Sequence, residues 1–330
     1  CSTHTYTSAI GQTSDGNALM IEELLMTAAL HHPILARKVK FDFANTPMHW
    51  VNHDAFSTHA INPLHLLLPA GELWFCRVYN RVLPLVKDEQ LRADVKGFIA
   101  QEAIHSRSHS AVLKYYAQHG LDTKGYTDMV EMLFNQLLDK HPLQQAWLGD
   151  LLGDRWLVFQ VGVIAAIEHY TCILGKWVLE ERHLDDLDPA MLDLIRWHGA
   201  EELEHRNVAF ELFEHLCQTR LGFYVSRQVL MSIVTPIFLG LWFKGVQYMI
   251  KQDPTAPLIT PQSLIGIVVQ FEKVAAQQHT LPSIKVLLGS LISWAKPSYH
   301  PEHEADTQVA LDYLASSPAA MAAAQQAMLA

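Results

Sequence analysis

The chain has little positive charge, few cysteines and almost no strand-forming pattern. Its 24 Lys and Arg face 34 Asp and Glu, a formal charge of −10, and no basic run is present. That balance argues against nucleic acid as the main partner. The four cysteines (Cys1, Cys76, Cys172, Cys217) have neither zinc-like spacing nor the look of a disulfide framework. A reducing, cytoplasmic setting is the simplest expectation. The first twenty residues lack a basic start followed by an apolar stretch, so no signal peptide is expected. The leading Cys in place of Met suggests a trimmed start. No hairpin turn lies between alternating apolar residues, which leaves an all-α fold.

Apolar residues and histidine are what the chain has in quantity. Half of its 330 residues are hydrophobic, enough for a large core, and 19 are histidine. A histidine surplus suits metal or proton chemistry.

The punctuation divides the chain into three parts: an N-terminal tail and short helix (1–45), a helical bundle (46–222) and a C-terminal helical extension (223–330). The short helix is expected from Ala18 to Leu30. Prolines and histidines between 31 and 69 read as an irregular approach. A first bundle helix is predicted from Pro69-Ala70-Gly71 to Leu83, before Pro84, with Glu72 in its first turn. The second runs from an Asp88 N-cap to Gly120. Residues 126–141 make a connecting helix ending at Pro142. The third bundle helix spans Leu143 to Arg182, kinked near Gly149 and Gly153. The fourth opens at Asp188-Pro189, an N-cap followed by Pro at the first helical position, and reaches Thr219.

Two copies of Glu-x-x-His, each trailing a lone Glu, carry the chemistry. Glu72 precedes Glu102 and His105 by about 30 residues, and Glu168 precedes Glu202 and His205 by about 34. Near-equal spacing suggests a duplicated helix pair. Side chains three apart share a helix face, so each Glu and its His aim at one point. A bundle with one Glu on each of two helices and Glu-x-x-His on the other two holds a dinuclear metal site of the ferritin-like kind. Glu102 and Glu202 would bridge; Glu72 and His105 would complete one metal, Glu168 and His205 the other. Four carboxylates balance two divalent ions, which lets the site be buried. The ligand set suits iron, with manganese or zinc as alternatives.

His109 and His198 lie one turn from His105 and Glu202 on the same faces. Each is an extra ligand, a donor behind the ligands, a substrate contact or a hydrogen-bonded core histidine. Glu201 competes with Glu202 for the bridge, which falls to Glu202 because its spacing to His205 repeats that of Glu102 to His105. His169 should point away, and Glu204 should be solvated or paired. Cys76 and Cys172 each follow a lone Glu by four and read as small packing residues; core packing is also the default for Tyr79 and Tyr170.

The stretches PAGELWF (69–75), FIAQEAIHSRSH (98–109), AAIEHYT (165–171) and WHGAEELEHRNVAF (197–210) resemble a bacterial family of predicted metal-dependent hydrolases placed in the ferritin-like superfamily. SYHPEHEAD (298–306) is a fainter match, and the PEHEAD part reads as a solvated turn opening the last helix. The likeness runs from about Phe41 to Asp306 and rests on the two histidine motifs. It carries over Glu102, His105, His109, His198, Glu202 and His205 by position, and it implies a ferritin-like bundle with extra terminal helices. The pattern is also similar to that of di-iron oxygenases and oxidases, whereas the extra histidines and long C-terminal region depart from iron-storage proteins.

The first expectation is therefore an oxidoreductase in which an iron pair activates O2 to oxidise a small, hydrophobic substrate. No flavin or nicotinamide fingerprint is present, so an external electron donor would be needed. The alternatives are a metal-dependent hydrolase, which uses water activated by the metals and needs no reductant, and a non-catalytic metal-binding protein. Gln228–Phe243 is an uncharged run of sixteen residues, short of the roughly 20 that a membrane span takes. It is expected to pack on the bundle, with peripheral membrane contact or a homodimer face as the other uses of its apolar surface.

Overall fold

A computed structural model describes residues 33–140, 145–256 and 260–329. The expected helix at Ala18–Leu30 lies outside the described residues, as does the start of the third bundle helix at Leu143. Among the described residues the chain is helical, with no strand.

Two antiparallel helix pairs build the centre. In the first, α2 (Leu64–Val82) packs on α3 (Glu89–Gln118); in the second, α6 (Asp154–Glu180) packs on α7 (Pro189–His205). Contacts of α2 with α6 and of α3 with α7 close the four into a bundle. Local chemistry explains the ends. Asp88 accepts from the Leu91 amide, 2.8 Å, and Asp188 from those of Ala190 and Met191, so each caps its helix as the sequence suggests.

Several boundaries differ from the sequence reading. The approach to the bundle is partly helical: α1 spans Ala55–Ile61, and α2 starts at Leu64, so Pro69 sits inside it and Glu72 well past its first turn. Burial of His65, Leu66 and Leu67 outweighs the proline's lost backbone bond. The connecting helix is α4 (Lys124–Met132), continued by a π-helical turn at Leu133–Leu137. The expected kink is a break, since Gly153 at φ +50° separates α5 (Ala146–Leu152) from α6. The fourth bundle helix stops at His205 and resumes as α8 (Val208–Leu216), which lets the chain pack against both α3 and α6.

The C-terminal region wraps this centre. Helix α9 (Arg220–Gln252) lies on α6, with Tyr170 Oη and Thr235 Oγ1 2.8 Å apart, and its Trp242 indole donates to the Ala60 carbonyl at 2.7 Å. Helices α10 (Leu264–Gln277) and α11 (Ile284–Trp294) run beside it. A 3-10 turn at Pro301–His303 leads into α12 (Thr307–Ser316), which covers α7 with α13 (Pro318–Met328). Helices α6 and α9 are each long and apolar enough to cross a membrane, yet 72% and 44% of their apolar windows are buried in the protein.

His49, His59 and Asp253 form a buried pin between the first segment and the end of α9. The imidazoles of His49 and His59 approach Asp253 Oδ2 at 2.6 and 2.9 Å. Trp50 donates to Asn62 Oδ1, so the Asn62 amide faces His59 Nδ1, and His59 Nε2 must carry the proton given to Asp253. Burial raises the Asp253 carboxyl, but hydrogen bonds from His59, His49 and Thr255 outweigh it and hold the group far below its ordinary value.

Two predictions follow from packing and charge. A Cβ on Gly175 would meet the Gly199 carbonyl at 2.7 Å, backbone against backbone, so Gly175→Val should cost about 2–3 kcal/mol and lower the melting temperature. Asp253 is depressed on folding, so its stabilisation is present above the unfolded carboxyl value of about 3.9 and is lost as pH falls below it. Asp253→Asn should cost about 2 kcal/mol at neutral pH, and its stability, followed by urea melts across pH, should fall less steeply in acid.

Candidate metal centre

The bundle brings all six sequence-predicted residues into one buried cluster. Glu72 and Glu168 come from the middle of α2 and α6; Glu102 with His105, and Glu202 with His205, come from α3 and α7. Donor atoms of Glu102, Glu168, Glu202 and His205 lie within 4.8 Å of one another, and so do those of Glu72, Glu102 and His105. Either group could hold a metal ion. Glu102 belongs to both, so it lies between the two positions. His205 Nε2 is 3.2 Å from Glu168 Oε2, 3.2 Å from Glu202 Oε2 and 3.3 Å from Glu102 Oε1.

His198 joins this cluster, and His109 borders it, since donor atoms of Glu72, His109 and His198 lie within 4.8 Å of one another. His198 Nε2 is 2.7 Å from Glu202 Oε1 and 3.6 Å from Glu72 Oε1, so it faces the same space as the carboxylates. His109 Nε2 is 3.0 Å from His198 Nδ1, and His109 Nδ1 is 2.8 Å from His65 Nδ1. Three imidazoles thus stand in file from the cluster outward.

The donor set fits cations. Both oxygens of Glu72 and Glu102, Glu168 Oε1, His105 Nδ1 and His198 Nε2 are buried and make no well-directed hydrogen bond to the protein, although carboxylate oxygens and imidazole nitrogens face one another across 2.7–3.6 Å. Converging buried carboxylates without partners are costly unless positive charge sits between them. The electrostatics say the same. Burial, reinforced by the neighbouring carboxylates, raises Glu72 and Glu168 well above the usual range. Burial alone would lower His105 and His205, but the surrounding glutamates outweigh it and raise both. Burial would raise Glu202, yet His205 and His198 hold it well below its ordinary value.

Behind the cluster lies a buttress only part of which the sequence reading named. His105 Nε2 is 2.9 Å from Glu201 Oε2, which leaves Nδ1 for the centre. His205 Nδ1 is 2.9 Å from Gln101 Oε1, which leaves Nε2 for it. Glu201 also accepts from the Trp197 indole, at 3.2 Å. Arg37 donates to Glu201 at 2.9 Å and to Glu204 at 2.6 Å, and Gln101 donates to Glu204 at 2.9 Å. One chain of bonds therefore links the two imidazoles through Arg37. Successive helical residues point about 100° apart: Glu202 faces the centre, Glu201 the buttress. Glu204 is paired, and it is buried too.

The remaining candidates pack. Cys76 and Cys172 are buried, and burial pushes each thiol up to about 12. Tyr79 stacks on Phe98, 4.7 Å between ring centres, and Phe98 lies 4.6 Å from the His205 ring. His169 turns outward to Tyr299 and Ser290. Arg37 has no local signal in the sequence. His65 had one, since it lies two helical turns before Glu72 on the same face of α2.

A cavity of about 80 Å³ adjoins the cluster, several times the room one water needs. Its walls are apolar, among them Leu64, Leu68, Leu174, Trp177, Ile195 and Phe238. His65, His109, Thr171, His198 and Glu202 are its polar lining.

A family model described as predicted metal-dependent hydrolase matches residues 35–305, and the chain belongs to that family. The matched span takes in both Glu-x-x-His motifs and Arg37. No match was found among curated proteins or among solved structures.

The geometry separates adjacent glutamates by role. Glu202→Gln should abolish binding of at least one metal equivalent, read by elemental analysis. Glu201→Gln should weaken binding about 10–100-fold, because it loosens His105 without removing a ligand. The surrounding glutamates raise His105 and His205 and so favour their protonated forms, and metal uptake should therefore release protons and weaken as pH falls; calorimetry in buffers of different ionisation enthalpy measures this.

Proposed function

We propose that the cluster binds two cations and that the protein is an enzyme acting on a small, largely apolar substrate held in the adjoining cavity. Glu72, Glu102, Glu168, Glu202, His105 and His205 would hold the pair, with His198 as a seventh ligand. The observation that carries this reading is the set of converging buried carboxylate and imidazole atoms that lack well-directed hydrogen bonds, beside an apolar cavity. Bound cations would supply Lewis acidity to an oxygen-containing group of the substrate or to water.

The protein's own contribution is to exclude water and to set protons. Burial lowers His65 to about 3 and lowers His109 and His198 as well, so the file is neutral. A lone pair committed at His198 Nε2 fixes a proton on its Nδ1, which is donated to His109 Nε2. His109 Nδ1–H then donates to His65 Nδ1, and His65 is left with its proton on Nε2. That nitrogen makes no hydrogen bond to the protein, and His65 lines the cavity. The file thus presents one donor to a polar group in a largely apolar chamber.

Hydrolysis is the reaction that the family's description supports, and the imidazole file suits it because His65 Nε2–H could donate to the leaving group in the cavity. One observation keeps O2-dependent oxidation by an iron pair as a second reading: four carboxylates, hard oxygen donors, sit sealed beneath an apolar chamber. It would require an external electron donor.

Elemental analysis of protein purified without added metal should find two cations per chain. A hydrolase should cleave model esters of apolar acids under nitrogen, whereas an iron oxidase should do nothing there and should develop a visible absorption band when the reduced protein meets O2. His65→Phe should keep both metals and lose about 100-fold in turnover; unchanged turnover would remove the file from the mechanism.

A further inference from the structure

Helix α9 has two working faces. Inward, Phe238 and Trp242 line the cavity, and Arg227 lies among the rings of Phe210, Phe223, Tyr224, Trp294 and Tyr299 at 5.3–5.5 Å. Outward, Leu221, Val225, Val229, Ile233 and Ile237 recur every fourth residue and are all exposed, Leu221 to 74%. That stripe runs for about 24 Å at 1.5 Å per residue. The neighbouring helices add to it. Ile265 of α10 is 80% exposed and Ile292 of α11 is 71% exposed, with Val269 and Leu288 also open. The three helices adjoin. Phe271 packs on Trp242 and Phe243, Gln247 donates to the Gln262 carbonyl, and Tyr224 and Gln228 donate to the carbonyls of Ala295 and Trp294.

The charge around this surface is opposite to that of the whole chain. Residues 220–296 contain seven Lys and Arg but two Asp and Glu, a formal +5 in a chain of −10. The two acids are engaged. Asp253 is held by His49 and His59, and Glu272 accepts from the Ser283 hydroxyl and the Ile284 amide at the start of α11. Lys244, Lys251, Lys273, Lys285 and Lys296 are all exposed. Apolar helix faces fringed by lysine lie in the plane of a bilayer interface, where acyl chains take the apolar side chains and anionic headgroups take the lysines.

We propose that the outer faces of α9, α10 and α11 dock the protein on an anionic lipid surface, as a peripheral contact and not as a membrane span. The inward packing of α9 on the bundle, through Thr235 and Trp242, favours a peripheral contact over a span. A symmetric dimer through this face would set the lysine fringe against its own copy, an unfavourable juxtaposition. The contact would bring the cavity wall formed by Phe238 and Trp242 close to a source of apolar molecules. The docking claim stands on the surface alone, independent of the metal chemistry.

Co-sedimentation of the full-length protein with vesicles tests it. Binding should be strong on phosphatidylcholine containing 30% phosphatidylglycerol, at least about tenfold weaker on phosphatidylcholine alone, and should weaken as salt rises. Val229→Glu with Ile233→Glu should abolish binding while helix content by circular dichroism is kept. Lys244→Glu with Lys251→Glu should remove the preference for anionic lipid. Equal binding to both vesicles, or no binding, would overturn the proposal. So would a stable dimer by light scattering that the Val229→Glu, Ile233→Glu protein cannot form. Metal content of these variants should match that of the unaltered protein, so failure here is distinguishable from failure of the metal centre.

Discussion

Four carboxylates meet at the centre of four helices, and their mutual repulsion governs the rest of the structure. Glu72, Glu102, Glu168 and Glu202 are fully buried, where an unbalanced negative charge costs several kcal/mol. The chain answers with positive and polar groups ranked outward: imidazoles first, then Glu201 and Gln101 to orient them, then Arg37 to balance the outer glutamates. Burial that would be ruinous for one glutamate becomes tolerable for four because they converge on a place where cations fit. The close contact of Gly175 with Gly199 brings α6 and α7 near enough for Glu168 and Glu202 to share that place.

The chamber beside the cluster follows the opposite rule. Its walls are mainly leucine, isoleucine, phenylalanine and tryptophan, and its polar lining is histidine, Thr171 and Glu202. A substrate there would find little to bind except shape and one imidazole donor. Under the proposed function such a site would select by apolar volume and leave the polar recognition to the metal side, a division of labour common in ligand pockets.

The parts of this arrangement that were legible in the sequence are those governed by short-range geometry. Three-residue spacing fixes a common helix face, so Glu102 with His105 and Glu202 with His205 could be paired before any coordinates. The Asp88 and Asp188 caps were equally plain, because a capping carboxylate acts within three residues. What escaped depends on distant neighbours. Pro69 looked like a helix start because nothing local reveals that burial of Leu66 and Leu67 carries the helix through it. The stop after His205 has no glycine or proline to announce it. Arg37 lies more than 160 residues from the glutamates it joins, and a lone arginine in an irregular stretch carries no pattern.

That arginine has a consequence for how the centre is assembled. The segment around Leu35 and Arg37 runs over α3 and is tied down there: Gln101 donates to the Leu35 carbonyl, and Gly97 has no room for a side chain beneath Ile34. Arg37 then reaches the glutamate behind His105 and the one beside Gln101. The segment is a clasp whose closure and whose metal share a single network of bonds. Linked equilibria are reciprocal. Whatever factor the closed clasp adds to ion affinity, bound ions add to the closed clasp, so loading the centre would also lock the stretch around Leu35 and Arg37 in place.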